Sequence, residues 1–389
     1  MIRKPFKEMQ LSMLGMGNMR LPTTEPRGPI DGEKAAAIIE HAYRSGINYF
    51  DTAYRYHGGA SEPLVGRVLS QFPRDTWHLA TKFPGHMMQV VDGKIQLVGY
   101  LAGERIESVA QIFEDQLQRC GVDYFDFYLL HNVCETSFDF YTNEALGVVD
   151  YLVEQKKAGR IRHLGFSAHG RADTIDKFLN WRNDFEFVQL QLNYLDWKLQ
   201  DAARKYEVVT RHGLPVVVME PVRGGRLADL KDAERAILAE SGSDATPAAW
   251  AFRYLQGLPN VLVVLSGMTT MAQLEENLQI FDAMQPLNAQ EQALLARVTE
   301  RMTEMVPCTG CEYCLEHCPQ GLNIPKLLSM YNEIRFENPN TLRFTLDAMS
   351  PDELPGACIG CGACSTQCPQ GIDIPDVMRK FDALLKQQA

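Results

Sequence analysis

From about position 10 to position 285, short runs of β-branched and aromatic residues alternate with longer stretches whose apolar positions recur at helical spacing. The short runs predict strands at 13–19, 48–53, 78–82, 125–131, 161–168, 187–193, 215–220 and 261–267. Between them the spacing predicts helices over 33–45, 62–71, 104–119, 144–158, 171–181, 200–211 and 271–283. Several of these end in glycine (Gly46, Gly121, Gly159, Gly213), where a helix terminus calls for a left-handed residue. Runs such as Val216-Val217-Val218-Met219 are apolar on both faces, as parallel strands covered by helices must be. About eight strand–helix units predict an α/β fold, a (β/α)8 barrel over 1–285. An open doubly wound sheet is the alternative. It needs a G-x-G-x-x-G turn opening a helix, whereas Leu14-Gly15-Met16-Gly17 runs on into Asn18-Met19-Arg20-Leu21-Pro22.

A helical connector is expected over 286–306, and the pattern changes at Pro307. Two near-repeats follow, Cys308…Cys318-Pro319-Gln320-Gly321-Leu322-Asn323-Ile324-Pro325 and Cys358…Cys368-Pro369-Gln370-Gly371-Ile372-Asp373-Ile374-Pro375, with helices predicted over 326–337 and 377–386. The simplest account is an internal duplication forming a small second domain over 307–389. Each repeat spaces its cysteines C-x-x-C-x-x-C-x-x-x-C-P. Three thiols at steps of three on a tight loop can reach three irons of one cubane, so two [4Fe–4S] clusters are expected from Cys308, Cys311, Cys314, Cys318, Cys358, Cys361, Cys364 and Cys368. Zinc sites or a metal-free cysteine set are the alternatives, and the evenly spaced third cysteine is wasted in a zinc site.

Composition narrows the class. Of ten cysteines only Cys120 and Cys134 lie outside the repeats, a placement that reads as metal binding rather than disulfides. The hydrophobic fraction of 46% supports a real core, and the net charge of −11 argues against a nucleic-acid partner. No apolar run is long enough to span a membrane, and Met1-Ile2-Arg3-Lys4-Pro5-Phe6 lacks the apolar stretch of a signal peptide, so a cytoplasmic protein is expected.

The segment Gly46-Ile47-Asn48-Tyr49-Phe50-Asp51-Thr52-Ala53-Tyr54-Arg55-Tyr56 resembles the aldo-keto reductase motif G-x-x-x-x-D-T-A-x-x-Y. Ser61-Glu62 with Gly66, Lys82 at the end of a predicted strand and His131 at the end of another follow in that family's order. The chemistry explains why these types would converge. A carbonyl reduced by hydride needs a proton for the developing alkoxide, and a tyrosine can supply it if a neighbouring ammonium lowers its pKa. The resemblance therefore implies Tyr56 as acid/base, Lys82 as its tuner, Asp51 as the orienter of Lys82 and His131 as a donor to the carbonyl oxygen. It also implies a nicotinamide held by Ser167 and Gln189; after the serine, where the family commonly has Asn, this chain has Ala168, with His169 beside it as the replacement. Pro221, Arg223, Gly224 and Gly225 match its pyrophosphate loop; Ser266, Gly267, Met268, Thr269, Glu276 and Asn277 match its adenosine end. No cation lies between Gly267 and Gln273, so NADP(H) and NAD(H) both remain open.

The cysteine repeats are similar to two-cluster ferredoxins, and their helical insert resembles the α-helical subclass, implying a small, mainly α-helical C-terminal domain. That likeness further implies crossed ligation: Cys308, Cys311, Cys314 and Cys368 on one cluster, Cys358, Cys361, Cys364 and Cys318 on the other. Nicotinamides move electron pairs and clusters move single electrons, so a splitting device such as a flavin enters the expectation. Three readings stand at this point: a carbonyl reductase whose clusters link it to a redox protein partner, an electron-transfer protein with a degenerate or flavin-adapted pocket, and a protein whose clusters only brace the fold. The first acts on a small-molecule substrate. Segments 84–103 and 132–141 are expected to line its pocket, with Phe138, Phe140 and Tyr141 either gripping an apolar substrate or packing beneath the loop.

Overall fold

A computed structural model of the protein describes residues 1–389 apart from positions 27, 92–93, 98–105, 107, 304, 309, 337–339 and 389. Eight parallel strands close into a barrel: β1 (Leu14–Gly17), β2 (Tyr49–Asp51), β3 (His78–Phe83), β4 (Phe125–Val133), β5 (Ile161–Ala168), β6 (Val188–Gln191), β7 (Val216–Met219) and β8 (Val261–Ser266). Each pairs with its neighbour in sequence, and β8 returns to β1 with Ser266 opposite Met16. The strands fall within or within two residues of the predicted runs. Helices Gly32–Arg44, Ser61–Leu69, Val148–Lys157, Ala172–Trp181, Ala202–Arg211 and Met271–Ile280 cover the barrel where the apolar spacing puts them. The helix predicted from 104 begins partly outside the described residues. It is seen as Val109–Cys120, capped by the Ser108 side chain.

Three of the elements that escaped the apolar pattern bear on the barrel end. Asp232–Ala239 and Pro247–Gln256 are helices between β7 and β8. The second carried a readable start signal, Thr246 accepting the Ala249 N–H with proline in the first turn. The third is a hairpin of Arg3–Phe6 and Met9–Ser12. Its Phe6, Met9 and Leu11 pack with Tyr49, Phe127, Phe187, Val217 and Val263 in one buried cluster. That plug closes one end of the barrel, leaving the C-terminal ends of the strands for chemistry.

The helix Ala289–Met302 leaves the barrel through a capping box in which Asn288 and Glu291 satisfy each other's backbone N–H groups. Glu291 is also held by Arg253, at 2.7 and 2.8 Å. Beyond it, Ile324–Phe336 and Ile374–Gln388 pack against each other, with Asn340–Asp347 between them in sequence. Their core repeats itself: Leu322, Ile324, Leu327, Leu328 and Tyr331 have counterparts in Ile372, Ile374, Val377, Met378 and Phe381. The duplication seen in the cysteines thus extends to the packing.

The small domain docks on the barrel through buried charge. Glu333 pairs with Arg171 at 2.6 Å, with side-chain exposures of 4% and 13%. Glu135 of the barrel accepts from Arg171 N, Thr174 and, across the junction, Thr345 at 3.0 Å. Lys205 is buried among the same groups. Burial raises the Glu333 carboxyl, with Arg171 and Lys205 opposing. A buried pair is strongly missed when one partner is removed, because the other charge is stranded. Glu333→Ala is therefore expected to cost about 3–5 kcal/mol in chemical denaturation; an unchanged midpoint would show that the junction does not depend on this pair.

Candidate active site

At the open end of the barrel one continuous groove runs from Lys82 and Tyr56 past β6 and β7 to the loop after β8. Its floor is organised by a buried cation. Lys82, pointing from β3, donates to Asp51 Oδ1 at 2.6 Å, to the Thr52 carbonyl at 2.7 Å and to the Tyr56 hydroxyl at 3.3 Å. Burial alone would lower the Lys82 pKa, but Asp51 and Tyr56 together more than reverse that and hold the proton on nitrogen. The Tyr56 phenol is raised, against the sequence expectation. Burial outweighs the pull of Lys82, and the charge of Asp51 adds to burial. Tyr56 therefore rests with its proton on, ready to give it. His131 stands on the other side, its ring 6.0 Å from that of Tyr56 at 80°. Burial, with His86 and Lys82 nearby, holds His131 well below the usual histidine range, so it is a neutral imidazole.

The strand carrying Lys82 is braced from behind. Glu62, at the start of Ser61–Leu69, accepts from Thr81 and Gln116 at 2.7 Å each, and Gln116 also donates to the Lys82 carbonyl at 3.2 Å. Gly66 lets this helix touch the next one: a Cβ there would lie 1.9 Å from the Cys120 carbonyl. Burial lifts the Glu62 carboxyl to about 7, against the two hydrogen bonds.

Of the residues expected around a nucleotide, His169, Gln189, Pro221, Arg223, Gly224, Gly225, Ser266, Gly267, Thr269, Glu276 and Asn277 line the groove. Two do not. Met268 packs into the barrel core, and Ser167 is buried with its hydroxyl accepting the Asn132 N–H at 2.8 Å. The charge expected from Arg223 is already committed, since its guanidinium pairs with buried Asp196. The cation the sequence did not point to is Arg20, half exposed and 3.9 Å from Glu220. It lies between the two glycine loops: a Cβ on Gly224 (φ +64°) would meet its guanidinium at 2.8 Å, and its stem lies against Gly267. His57, His86, Gln191 and Glu220 also line the groove. All of them sit at or shortly after the C-terminal ends of barrel strands, the position that could have marked them. Phe138, Phe140 and Tyr141 pack against the core, and Tyr141 donates to the His131 carbonyl at 2.7 Å.

A nicotinamide nucleotide fits these donors. Gln189 Oε1 is buried with no hydrogen-bond partner among the described residues, suited to an amide N–H. The glycine backbone and Arg20 suit a pyrophosphate. The cysteines divide into two sets. Cys308, Cys311 and Cys314 line one cavity together with Cys368. Cys358, Cys361 and Cys364 line another together with Cys318. Among the described residues no three His, Cys, Asp or Glu side chains converge on a single-ion site. The thiols surround a volume rather than a point, which fits an iron–sulfide cluster. Burial pushes Cys314 up to about 11 and raises Cys308 and Cys364, so binding through thiolates must displace protons.

Comparison with known proteins agrees with both halves. The pattern of the Aldo/keto reductase family matches residues 13–300, and that of a 4Fe-4S dicluster domain matches 307–372. "Probable aldo-keto reductase 1" of Glycine max is 34% identical over 43% of this chain and 44% of its own length. "NADH-specific methylglyoxal reductase" of Escherichia coli is 30% identical over 57% of this chain and 66% of its own length. The match thus spans less than two thirds of either relative. The solved aldo-keto reductase AKR11C1 from Bacillus halodurans, in its holo form, superposes with a TM-score of 0.60 at 27% identity, covering 76% of this chain and 95% of that one.

Glu62 makes a testable link between the site and stability. Its folded pKa is raised, so its contribution is fully present below the unfolded value of about 4.5 and is lost as pH rises through about 7. Glu62→Gln should therefore be increasingly more stable than the parent from pH 5 to pH 8, by about 3 kcal/mol at the top of that range. A difference that stays constant with pH would refute the assignment.

Proposed function

The chain belongs to the aldo/keto reductase family, and from that premise we propose that it is a nicotinamide-linked reductase or dehydrogenase of a small carbonyl or alcohol, whose two C-terminal clusters relay electrons to or from a redox protein. That the protein is an oxidoreductase carrying an iron–sulfur domain follows from the two family matches. The finer reading rests on one observation, the buried Lys82 ammonium bound at once to Asp51, to Thr52 and to the hydroxyl of Tyr56.

A nicotinamide bound along the groove supplies or takes the hydride. Tyr56 gives its proton to the oxygen that gains charge, and Lys82 stabilises the phenolate left behind. Asp51 keeps Lys82 aimed and charged. His131, neutral, donates a hydrogen bond to the same oxygen. Gln189 orients the carboxamide, while Gly224, Gly225 and Arg20 hold the phosphates. Cys308, Cys311, Cys314 and Cys368 would hold one cluster; Cys358, Cys361, Cys364 and Cys318 the other. Relay between nicotinamide and clusters would need a mediator such as a flavin, which splits the hydride into two single electrons and releases its proton.

Tyr56→Phe should lower kcat for aldehyde reduction about 10²–10⁴-fold while nucleotide binding stays within twofold; a variant as active as the parent refutes the acid/base role. Cys318→Ser should halve the iron content by emptying the cavity formed by the second repeat. The Cys308 set should keep its paramagnetic signal on reduction. Loss of the first repeat's cluster instead would show that ligation is not crossed.

A further inference from the structure

Three histidines share the groove wall beside Tyr56, and the tetrad accounts for only one of them. His86 sits in the turn Gly85–Met87 directly after β3, His131 near the end of β4, and His169 directly after β5. These strands are hydrogen-bonded neighbours, so their ends place the three rings side by side. The rings of His86 and His131 are 4.4 Å apart at 67°. The turn is fixed in place: a Cβ on Gly85 would lie 2.4 Å from the Tyr141 ring, so the backbone is pressed against a buried side chain. His169 is fixed as well, its carbonyl meeting the buried Lys205 ammonium at 3.5 Å.

These rings lack something. Nδ1 of His86 and Nδ1 of His169 are shielded from solvent and find no hydrogen-bond partner among the described residues. A buried polar atom left unpaired costs about 1–3 kcal/mol, so two on one wall mark a place where a ligand is expected to complete the bonding. The rings are also uncharged. Burial takes His86 to about 4 against a hydrogen bond to the His131 backbone, and burial with Lys205 and His86 nearby takes His169 to about 3. A neutral imidazole has one donor and one acceptor; with the His86 N–H directed at the His131 backbone, its free Nδ1 is an acceptor, the complement of a hydroxyl rather than of a carboxylate or phosphate. Among the described residues the three rings do not form a single-ion site either.

We infer that His86 and His169, flanking His131, form a subsite for a second oxygen next to the reacting carbonyl, and that the substrate is a neutral carbonyl compound with an adjacent hydroxyl. The inference rests on the carbonyl-reductase reading above and adds the residues that choose among carbonyl substrates. In it His131 addresses the oxygen that is reduced, and His86 and His169 grip its neighbour.

Lactaldehyde and propanal differ by one hydroxyl, so their ratio of kcat/KM isolates the subsite. The full-length, cluster-loaded protein should prefer lactaldehyde by at least about tenfold, because a site built to bond a hydroxyl rejects the analogue without it. His86→Leu should collapse that ratio about tenfold whatever it does to the absolute rates, and His86→Gln, which keeps a donor and an acceptor, should restore part of it. A ratio near one in the parent, or unmoved by His86→Leu, overturns the inference while leaving the carbonyl reading intact. If the parent reduces neither aldehyde, the carbonyl reading is what fails. The subsite is then judged by calorimetric binding, which must favour lactaldehyde over propanal in the parent and lose that preference in His86→Leu. Equal binding overturns it.

Discussion

A lysine with no exposed surface is the constraint around which the barrel end is built. An ammonium out of water is tolerated only with a counter-charge and filled donor positions. Asp51, the Thr52 carbonyl and the Tyr56 hydroxyl meet that demand together. They do so because β2 and β3 are paired in register, with Asp51 opposite Ala80, so that the end of one strand and the turn beyond it reach the side chain of the other. The same lysine then acts on its neighbours, opposing the rise of the Tyr56 phenol and adding to the burial that keeps His131 neutral. Structure and chemistry here share one cause, since the group that must be satisfied for the fold to close is the group that stabilises a phenolate.

The iron–sulfur domain is tied to that site through packing as well as sequence. Its Glu333 reaches Arg171, at the start of the helix after β5, and the loop just before that helix carries His169. Lys205 sits between, buried against the His169 carbonyl and within the influence of Glu333. Events in the small domain and the position of a groove-lining ring therefore share one network of buried charge. The duplicated core of the small domain gives its two cavities matched surroundings, each closed by a cysteine from the opposite repeat.

Much of this was legible in the chain. Strand positions followed from apolar runs between glycine-ended helices, because parallel strands covered on both faces leave little choice of residue. The eight cysteines announced themselves by spacing, and Asp51, Tyr56, Lys82 and His131 by the order of a known motif. What stayed hidden depends on tertiary placement. Nothing local to Phe6 or Met9 says that they plug a barrel. Arg20 lies in a segment without regular structure and gains meaning only once β8 brings Gly267 beside it. Arg223 looked like a phosphate ligand until Asp196 was found against it. Tyr56 was expected to be acidified, and only its burial shows why the phenol instead keeps its proton.

Relay by the clusters requires electrons to pass between them and the barrel. The direct measurement is an anaerobic titration of the cluster-loaded protein with NADH and with NADPH, following nucleotide oxidation and cluster absorbance in the same cuvette. One nucleotide oxidised per chain, with both clusters bleaching in step, is the result expected when a mediator such as a flavin splits one hydride into two single electrons and releases its proton. Clusters that stay fully coloured while the protein turns over nucleotide and carbonyl would contradict it.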